Sequence, residues 1–329
     1  MKTFILKVTV FLSILAAGMG LVIAVLDLLN GKLVHRKVRD IRHPMVFVGD
    51  SHIALAVNDE TMDGTINMAR SAEPIGYTYQ KLKILLESNS GIERVFLGFG
   101  YHNIAEGFND FLQRRTSVSN NYFYLLSLEE KIKVMLSWGR HSVNHLKSVI
   151  DLGFENIRRQ RSPYVGGYSN PFRETTARKE DMDKRLQIQF SEKPGAGTFS
   201  RSSIEYLARI RDLCRRHGVR LTLLNTPLHP YYRSNIPEKY MARYRQVTDS
   251  LGMDVMDLTG LFDEEHMFVA DGDHVSTEGA LATSRHIMER MYPETPEGGG
   301  EMAEGKGGAE ELVRYSNGGS RRPQGSRNP

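Results

Sequence analysis

A serine hydroxyl becomes a nucleophile only where a base and a carboxylate are brought to it, and this sequence offers a candidate for each. Gly49-Asp50-Ser51 follows the apolar run Val46-Phe47-Val48, and far along the chain Asp271-Gly272-Asp273-His274 sets an acid three residues ahead of a histidine. On a tight turn of that length the Asp271 carboxylate reaches one imidazole nitrogen of His274 while the other points outward, and Gly272 supplies the backbone freedom the turn requires. Ser51, His274 and Asp271 together are the residue types of a hydrolytic serine with its base and its orienting acid. Asp273 is the rival acid, but it adjoins His274 and is less well placed to orient it. Asp50 is read as ordering the nucleophile turn, and His52 as a pocket-wall or hydrogen-bonded structural residue. A metal site built from His52, His102, Asp50 and Asp273 has no sequence-local ligand pair such as His-x-x-x-His behind it, so neither a metal nor another cofactor is expected.

Such residues must be carried to one place by the fold. Val46 to Val48 reads as a buried parallel strand that delivers Ser51 to the carboxyl edge of a sheet. Thr65 to Ala69 and Arg94 to Gly100 read as further strands, with an amphipathic helix over Gly76 to Ser88 between them. Val219 to Asn225 and Met253 to Leu258 continue the series, separated by helices over Ser203 to His217 and Ile236 to Ser250. A last helix over Thr277 to Met291 follows the Asp271–His274 turn. This alternation predicts a three-layer α/β/α, flavodoxin-like domain over 44–293, with about five parallel strands in the order 2-1-3-4-5. Residues from about 104 to 200 break the rhythm and are expected to form an inserted cap beside the active edge. Helices are predicted at Glu129–Trp138 and Val143–Phe154, with loop thereafter through Gly166-Gly167-Tyr168 and Gly195-Ala196-Gly197. Most of its aromatics (Tyr122, Phe123, Tyr124, Trp138, Tyr164, Tyr168) are read as packing the insert down rather than lining a groove.

The chain's 329 residues are 40% hydrophobic and 25% charged, a globular balance, and the formal charge of +4 comes with no Lys/Arg stripe interleaved with aromatics, so nucleic acid is not an expected partner. The single cysteine, Cys214, excludes an intrachain disulfide and is read as a core residue. Val8 to Leu26 is uncharged over about 19 residues, the length of a bilayer span, and Lys2 and Lys7 precede it. Residues 1–30 are therefore expected to be an uncleaved transmembrane anchor and 31–43 a basic juxtamembrane linker, with Lys32, Arg36, Lys37, Arg39 and Arg42 resting on anionic headgroups. The domain is expected on the extracytoplasmic side. Residues 294–329, rich in Gly, Glu, Ser, Arg and Pro, are expected to form a disordered tail.

On these residues the chain resembles the SGNH/GDSL-type serine hydrolases from Val46 to about Met291, the insert apart. Gly49-Asp50-Ser51 matches the family's first block. Asn67 and Ala72 fall on the second, where the family has Asn and a Gly whose N–H serves the oxyanion hole. Gly100-Tyr101-His102-Asn103 falls on the third, Gly-x-Asn-Asp, and Asp271 and His274 on the last. Phe268 to Ala280 (FVADGDHVSTEGA) is similar to the closing block of the membrane-anchored branch that modifies cell-envelope polymers, which includes alginate O-acetyltransferases and the D-alanyl-transfer protein of teichoic acid synthesis. The resemblance implies Ser51 as nucleophile, His274 as base and Asp271 as orienting acid. It implies an oxyanion hole made by the N–H groups of Ser51 and Ala72 with the side chain of His102 or, if the turn shifts by one residue, Asn103; Asp50 and Asn67 would support the site. The implied activity is ester hydrolysis or O-acyl transfer on a glycan or envelope polymer, with an acyl-transfer complex as a possible partner. The alternatives are a small-ester or lipid esterase and a degenerate, non-catalytic domain serving in assembly.

Overall fold

The computed structural model describes residues 1–89, 91–113, 120, 122–137, 139, 142–160, 165–173, 176–190 and 198–292. The segment 294–329, Trp138, Tyr164 and Gly195-Ala196-Gly197, on which expectations were placed above, lie outside these residues.

Five parallel strands, β1 (Met45–Val48), β2 (Thr65–Asn67), β3 (Arg94–Gly98), β4 (Arg220–Asn225) and β5 (Asp254–Asp257), form one sheet in the order β2-β1-β3-β4-β5. The fold is the expected α/β architecture. Because side chains alternate across a strand, β1 sends Val46 and Val48 into one apolar layer and Phe47 into the other. Val95 and Leu97 of β3 likewise go one way and Phe96 the other, as do Leu223 and Leu224 of β4. The first layer is covered by α3 (Ile75–Ser88), α8 (Arg201–Arg216) and α10 (Glu238–Ser250), which contribute Leu82, Leu207, Cys214 and Val247 among others. The second is covered by α2 (Ser51–Ala56) and the last helix, α11 (Thr277–Met291), through Ile53 and Ile287.

The N-terminal helix α1 runs without a break from Lys2 to Arg39. Its first part is long and apolar enough to cross a membrane and stands clear of the domain. The expected linker over 31–43 is corrected: its residues to Arg39 are the last turns of this helix, and Val34, Val38 and Ile41 are buried in the first core layer. The basic side chains that suggested a linker lie among apolar residues that face the domain.

The insertion divides in two. Helices α5 (Leu128–Ser137) and α6 (Ser142–Arg158) pack beside α1, where Asn30 donates to the Gly153 carbonyl at 3.2 Å and accepts from Asn156 at 2.9 Å. This half is not the cap beside the active edge that the sequence suggested, because its apolar stripes meet Ile23 and Leu26 of α1 instead. The other half supplies the cover. Gly167 N–H donates to the Ala69 carbonyl, Ser169 N–H to that of Ala54, and Asn170 donates its side-chain N–H groups to the Leu55 and Val275 carbonyls. Within the region read as loop, α7 (Lys179–Phe190) is a helix, with Met182 and Phe190 in a satellite core with α4 (Glu106–Gln113) and Tyr232 of α9 (Pro230–Ser234). Tyr122, Phe123 and Tyr124 are buried, and Tyr168 packs beside Ala56, Phe268, Val275 and Ala280.

Candidate active site

The carboxyl ends of β1 and β3 and the turn before α11 converge on Ser51. Asp50 caps α2, its carboxylate accepting from the His52 N–H at 3.0 Å, so Ser51 is the first residue of that helix. Close approach of α2 to the sheet depends on Gly98, where a Cβ would lie 2.3 Å from Ile53 Cγ1. The turn opposite is equally constrained. Gly272 has φ +62°, and a Cβ there would meet Met182 Sδ at 2.5 Å and His229 Cβ at 3.0 Å, so only glycine fits.

His274 Nε2 lies 2.8 Å from Ser51 Oγ, and His274 Nδ1 lies 2.8 Å from Asp271 Oδ2. A neutral imidazole donates from one nitrogen only. With Nδ1–H given to the carboxylate, Nε2 presents its lone pair to the serine O–H. Burial by itself would raise the Asp271 carboxyl, but attraction to His274 and their hydrogen bond bring it below its usual value. The second carboxylate oxygen accepts from the backbone N–H groups of Asp273 and His274 at 3.1 and 3.2 Å, which fixes the acid to its own loop.

Behind this trio lies a buried polar network. His52 Nδ1 is 3.0 Å from Asp50 Oδ1 and His52 Nε2 is 2.9 Å from Asp273 Oδ1. Both ring nitrogens face carboxylates, so both carry protons and His52 is an imidazolium. Burial alone would lower its pKa, yet the charges of Asp273 and Asp50 push it up to about 10. His52 in turn, with His102 at Asp50 and Arg185 at Asp273, holds the two carboxyls well below the ordinary range in spite of burial. Asp273 also accepts from Arg185 Nε at 2.7 Å and Gln189 Nε2 at 2.6 Å. Asp273 is thus occupied by His52, Arg185 and Gln189, and the acid on His274 is Asp271.

His102 needs correction as an oxyanion donor. Its ring stacks on that of His52 with centroids 4.0 Å apart, and its Nε2 is 2.9 Å from Asp50 Oδ2. Burial and repulsion from the charged His52 lower its pKa, so it is neutral and its one N–H is given to Asp50. Nothing remains for an oxyanion. Asn103 retains more. Its side-chain oxygen accepts from the Gly100 N–H at 2.7 Å and one amide N–H donates to Asp50 Oδ2 at 3.1 Å, which leaves the second N–H.

Ala72 occupies the third position of a turn closed by the Glu73 N–H on the Arg70 carbonyl, and the Arg70 N–H in turn donates to the Gly49 carbonyl. Its φ of 60° is the left-handed conformation such turns reserve for glycine. Among the described residues neither the Ala72 N–H nor the Ser51 N–H has an acceptor. A buried ion pair anchors the turn: Glu73 accepts from Lys81 at 2.7 Å, from Thr78 at 2.7 Å and from the Tyr122 hydroxyl. Ala72→Gly should relieve the backbone and raise unfolding free energy by about 0.5–1 kcal/mol, measured by urea denaturation, because the left-handed region disfavours a Cβ. Asn67 is structural: it donates to the Ile53 and Val57 carbonyls and accepts from the Ala69 N–H, joining α2 to the end of β2.

Asp50, His52 and His102, and His52, Asp273 and His274, each bring ligand atoms within 4.8 Å of one another. Since both ring nitrogens of His52 already donate to carboxylates, an ion in either set would first have to displace these protons. Arg185 and Gln189 were not singled out in the sequence. The one available signal was Met182, Leu186 and Phe190 at four-residue spacing, which marks a helix face.

No protein-family model matches the sequence, and no curated protein matches it. Among solved structures the chain is similar to a candidate platelet activating factor from Streptococcus pneumonia, at 13% identity over 84% of this chain and 99% of that one, with a TM-score of 0.40. It is similar also to a GDSL-like lipase from Bacteroides thetaiotaomicron, at 11% identity over 80% and 97% of the two chains with a TM-score of 0.38. For TesA the figures are 14%, 76% and 98%, with a TM-score of 0.37. Likeness at this level says nothing about what the chain acts on.

Proposed function

We propose that the chain is a membrane-anchored serine esterase or O-acyltransferase of the SGNH/GDSL type, acting on ester groups, foremost O-acetyl groups, of a cell-surface glycan or envelope polymer. The observation that carries this reading is the line Ser51 Oγ, His274, Asp271, with 2.8 Å at each of its two hydrogen bonds. Ser51 Oγ attacks the ester carbonyl as its proton passes to His274 Nε2, and Asp271 steadies the resulting imidazolium. The oxyanion is taken by the N–H groups of Ser51 and Ala72 and by the second N–H of Asn103. His274 then returns the proton to the departing alkoxide, leaving an acyl-serine. Attack on that ester by water gives hydrolysis, and attack by a sugar hydroxyl gives transfer; in either case His274 takes the incoming proton and returns it to Ser51 Oγ as the acyl–oxygen bond breaks.

The glycan substrate and the anchor rest on the apolar α1 and on the closing block Phe268 to Ala280, and the exported orientation on an N-terminal anchor preceding a long domain. A non-catalytic assembly domain would have no use for the Ser51–His274 contact. Acetate release from an O-acetylated polysaccharide, compared with release from a short aryl ester at equal ester concentration, tests the substrate class. Faster turnover of the polysaccharide is expected. Turnover of the aryl ester alone would point to a small-ester esterase.

A further inference from the structure

We infer that the C-terminal end of α5 and the N-terminal end of α6 form a second membrane-contacting element, seated in the outer apolar layer of a lipid bilayer beside α1. The inference rests on the reading of α1 as a membrane span.

Two sets of contacts fix the height of the hairpin against α1. Lys131 of α5 pairs with Asp27 at 2.6 Å, and Asp27 is the first charge after the apolar stretch. On α6, Gly153 and Asn156 meet Asn30. Leu146 and Ile150, two turns and one turn before Gly153, join the same cluster as Ile23 and Leu26, two turns and one turn before Asn30. The two helices therefore run side by side in the same direction, and Ser142 at the start of α6 stands level with about residue 19 of α1. At about 1.5 Å per residue that lies about 12 Å beyond Asp27, inside the apolar stretch. Helix α5 ends at the same height, since Ser137 is about 9 Å past Lys131 on the same scale.

Among the described residues, that height carries several exposed apolar side chains beside the exposed Asn144. Leu136 and Val143 are 78% and 79% exposed, and with Ile132, Met135 and Leu146 they line a groove open to the outside. Ile132, Met135 and Leu136 share one stripe of α5, while Lys133 turns away to pair with Glu129 and Glu130. A face of this kind in water would be an aggregation liability. At this depth it continues the exposed apolar surface of α1, and an apolar helix face gains by leaving water for the boundary between headgroups and acyl chains. Anchored at two points, the domain would be held at one height and one tilt instead of swinging on a single helix.

The test uses the full chain in vesicles of phosphatidylethanolamine and phosphatidylglycerol containing nitroxide-labelled lipids. Single cysteines replace Leu136, Val143, Leu15 or the exposed Arg201, and each carries a fluorophore; Cys214 is buried and stays unlabelled. Positions as exposed as Leu136 and Val143 tolerate the change without refolding. Probes at 136 and 143 are expected to be quenched several-fold more than the probe at 201, most by nitroxides near the headgroup, and the probe at 15 most by nitroxides deep in the acyl chains. Aqueous behaviour at 136 and 143 with quenching at 15 would overturn the hairpin proposal and leave the anchor standing. Aqueous behaviour at all four positions would overturn both.

Discussion

Replacing Ser51 with alanine is expected to lower ester turnover by about 10⁴-fold or more, with stability left within about 0.5 kcal/mol of the parent. Ser51 is part-buried, and the only hydrogen-bond partner of its hydroxyl among the described residues is His274, so little folding energy goes with it. What turnover remains after the change is expected from the oxyanion donors and substrate binding. His274→Ala should cost about as much in turnover, and the double variant no more than either single one, because the two residues act as a unit. Turnover ratios from initial rates, set beside urea denaturation of each variant, check both statements. Additive losses would mean that His274 does not act through Ser51.

The second large effect is expected at His52, which touches no substrate in this account. It joins the nucleophile turn to the catalytic loop by donating to Asp50 and Asp273 from opposite sides of one ring. His52→Gln removes the charge between two buried carboxylates. Breaking such an arrangement costs about 3–5 kcal/mol, and a displacement of the Ser51–His274 pair by about 1 Å would cost about 10²-fold in kcat/KM. The same residue sets a pH dependence. Its folded pKa, about 10, lies above the ordinary histidine value near 6.5, so the folded state holds a proton that the unfolded chain releases. The stabilisation is complete below about pH 6.5 and drains away as pH rises towards 10. Denaturation midpoints should therefore fall across that window in the parent chain and stay flatter in His52→Gln. A parent chain equally stable at pH 6 and pH 10 would remove the charged His52 from the account.

Much of the framework was legible because it rests on local signals. Apolar runs such as Val46 to Val48 and Val95 to Gly98, separated by helices of clear periodicity, dictate a parallel sheet, and its strand order follows from crossover rules. Ser51, Asp271 and His274 were legible because each stands at the end of such a signal. What could not be read depends on partners distant in sequence. His52 takes its charge from Asp273, and His102 loses its role because Asp50 claims its one N–H; neither fact is local. Helix α7 escaped because its outer positions are almost all polar, and its reason for folding there is to present Arg185 and Gln189 to Asp273. The end of α1 was misread for a related reason: Arg36, Lys37 and Arg39 dominate the composition, while Leu33, Val34 and Val38, on the buried face, decide the structure.

The central claim is that Ser51 is a nucleophile activated by His274. Its most direct test is reaction with a fluorophosphonate, followed by intact mass and peptide mapping. One adduct is expected, on Ser51, formed quickly in the parent chain, slowly in His274→Ala and not at all in Ser51→Ala. A parent chain that stays unmodified, or an adduct that persists undiminished in Ser51→Ala, would contradict it.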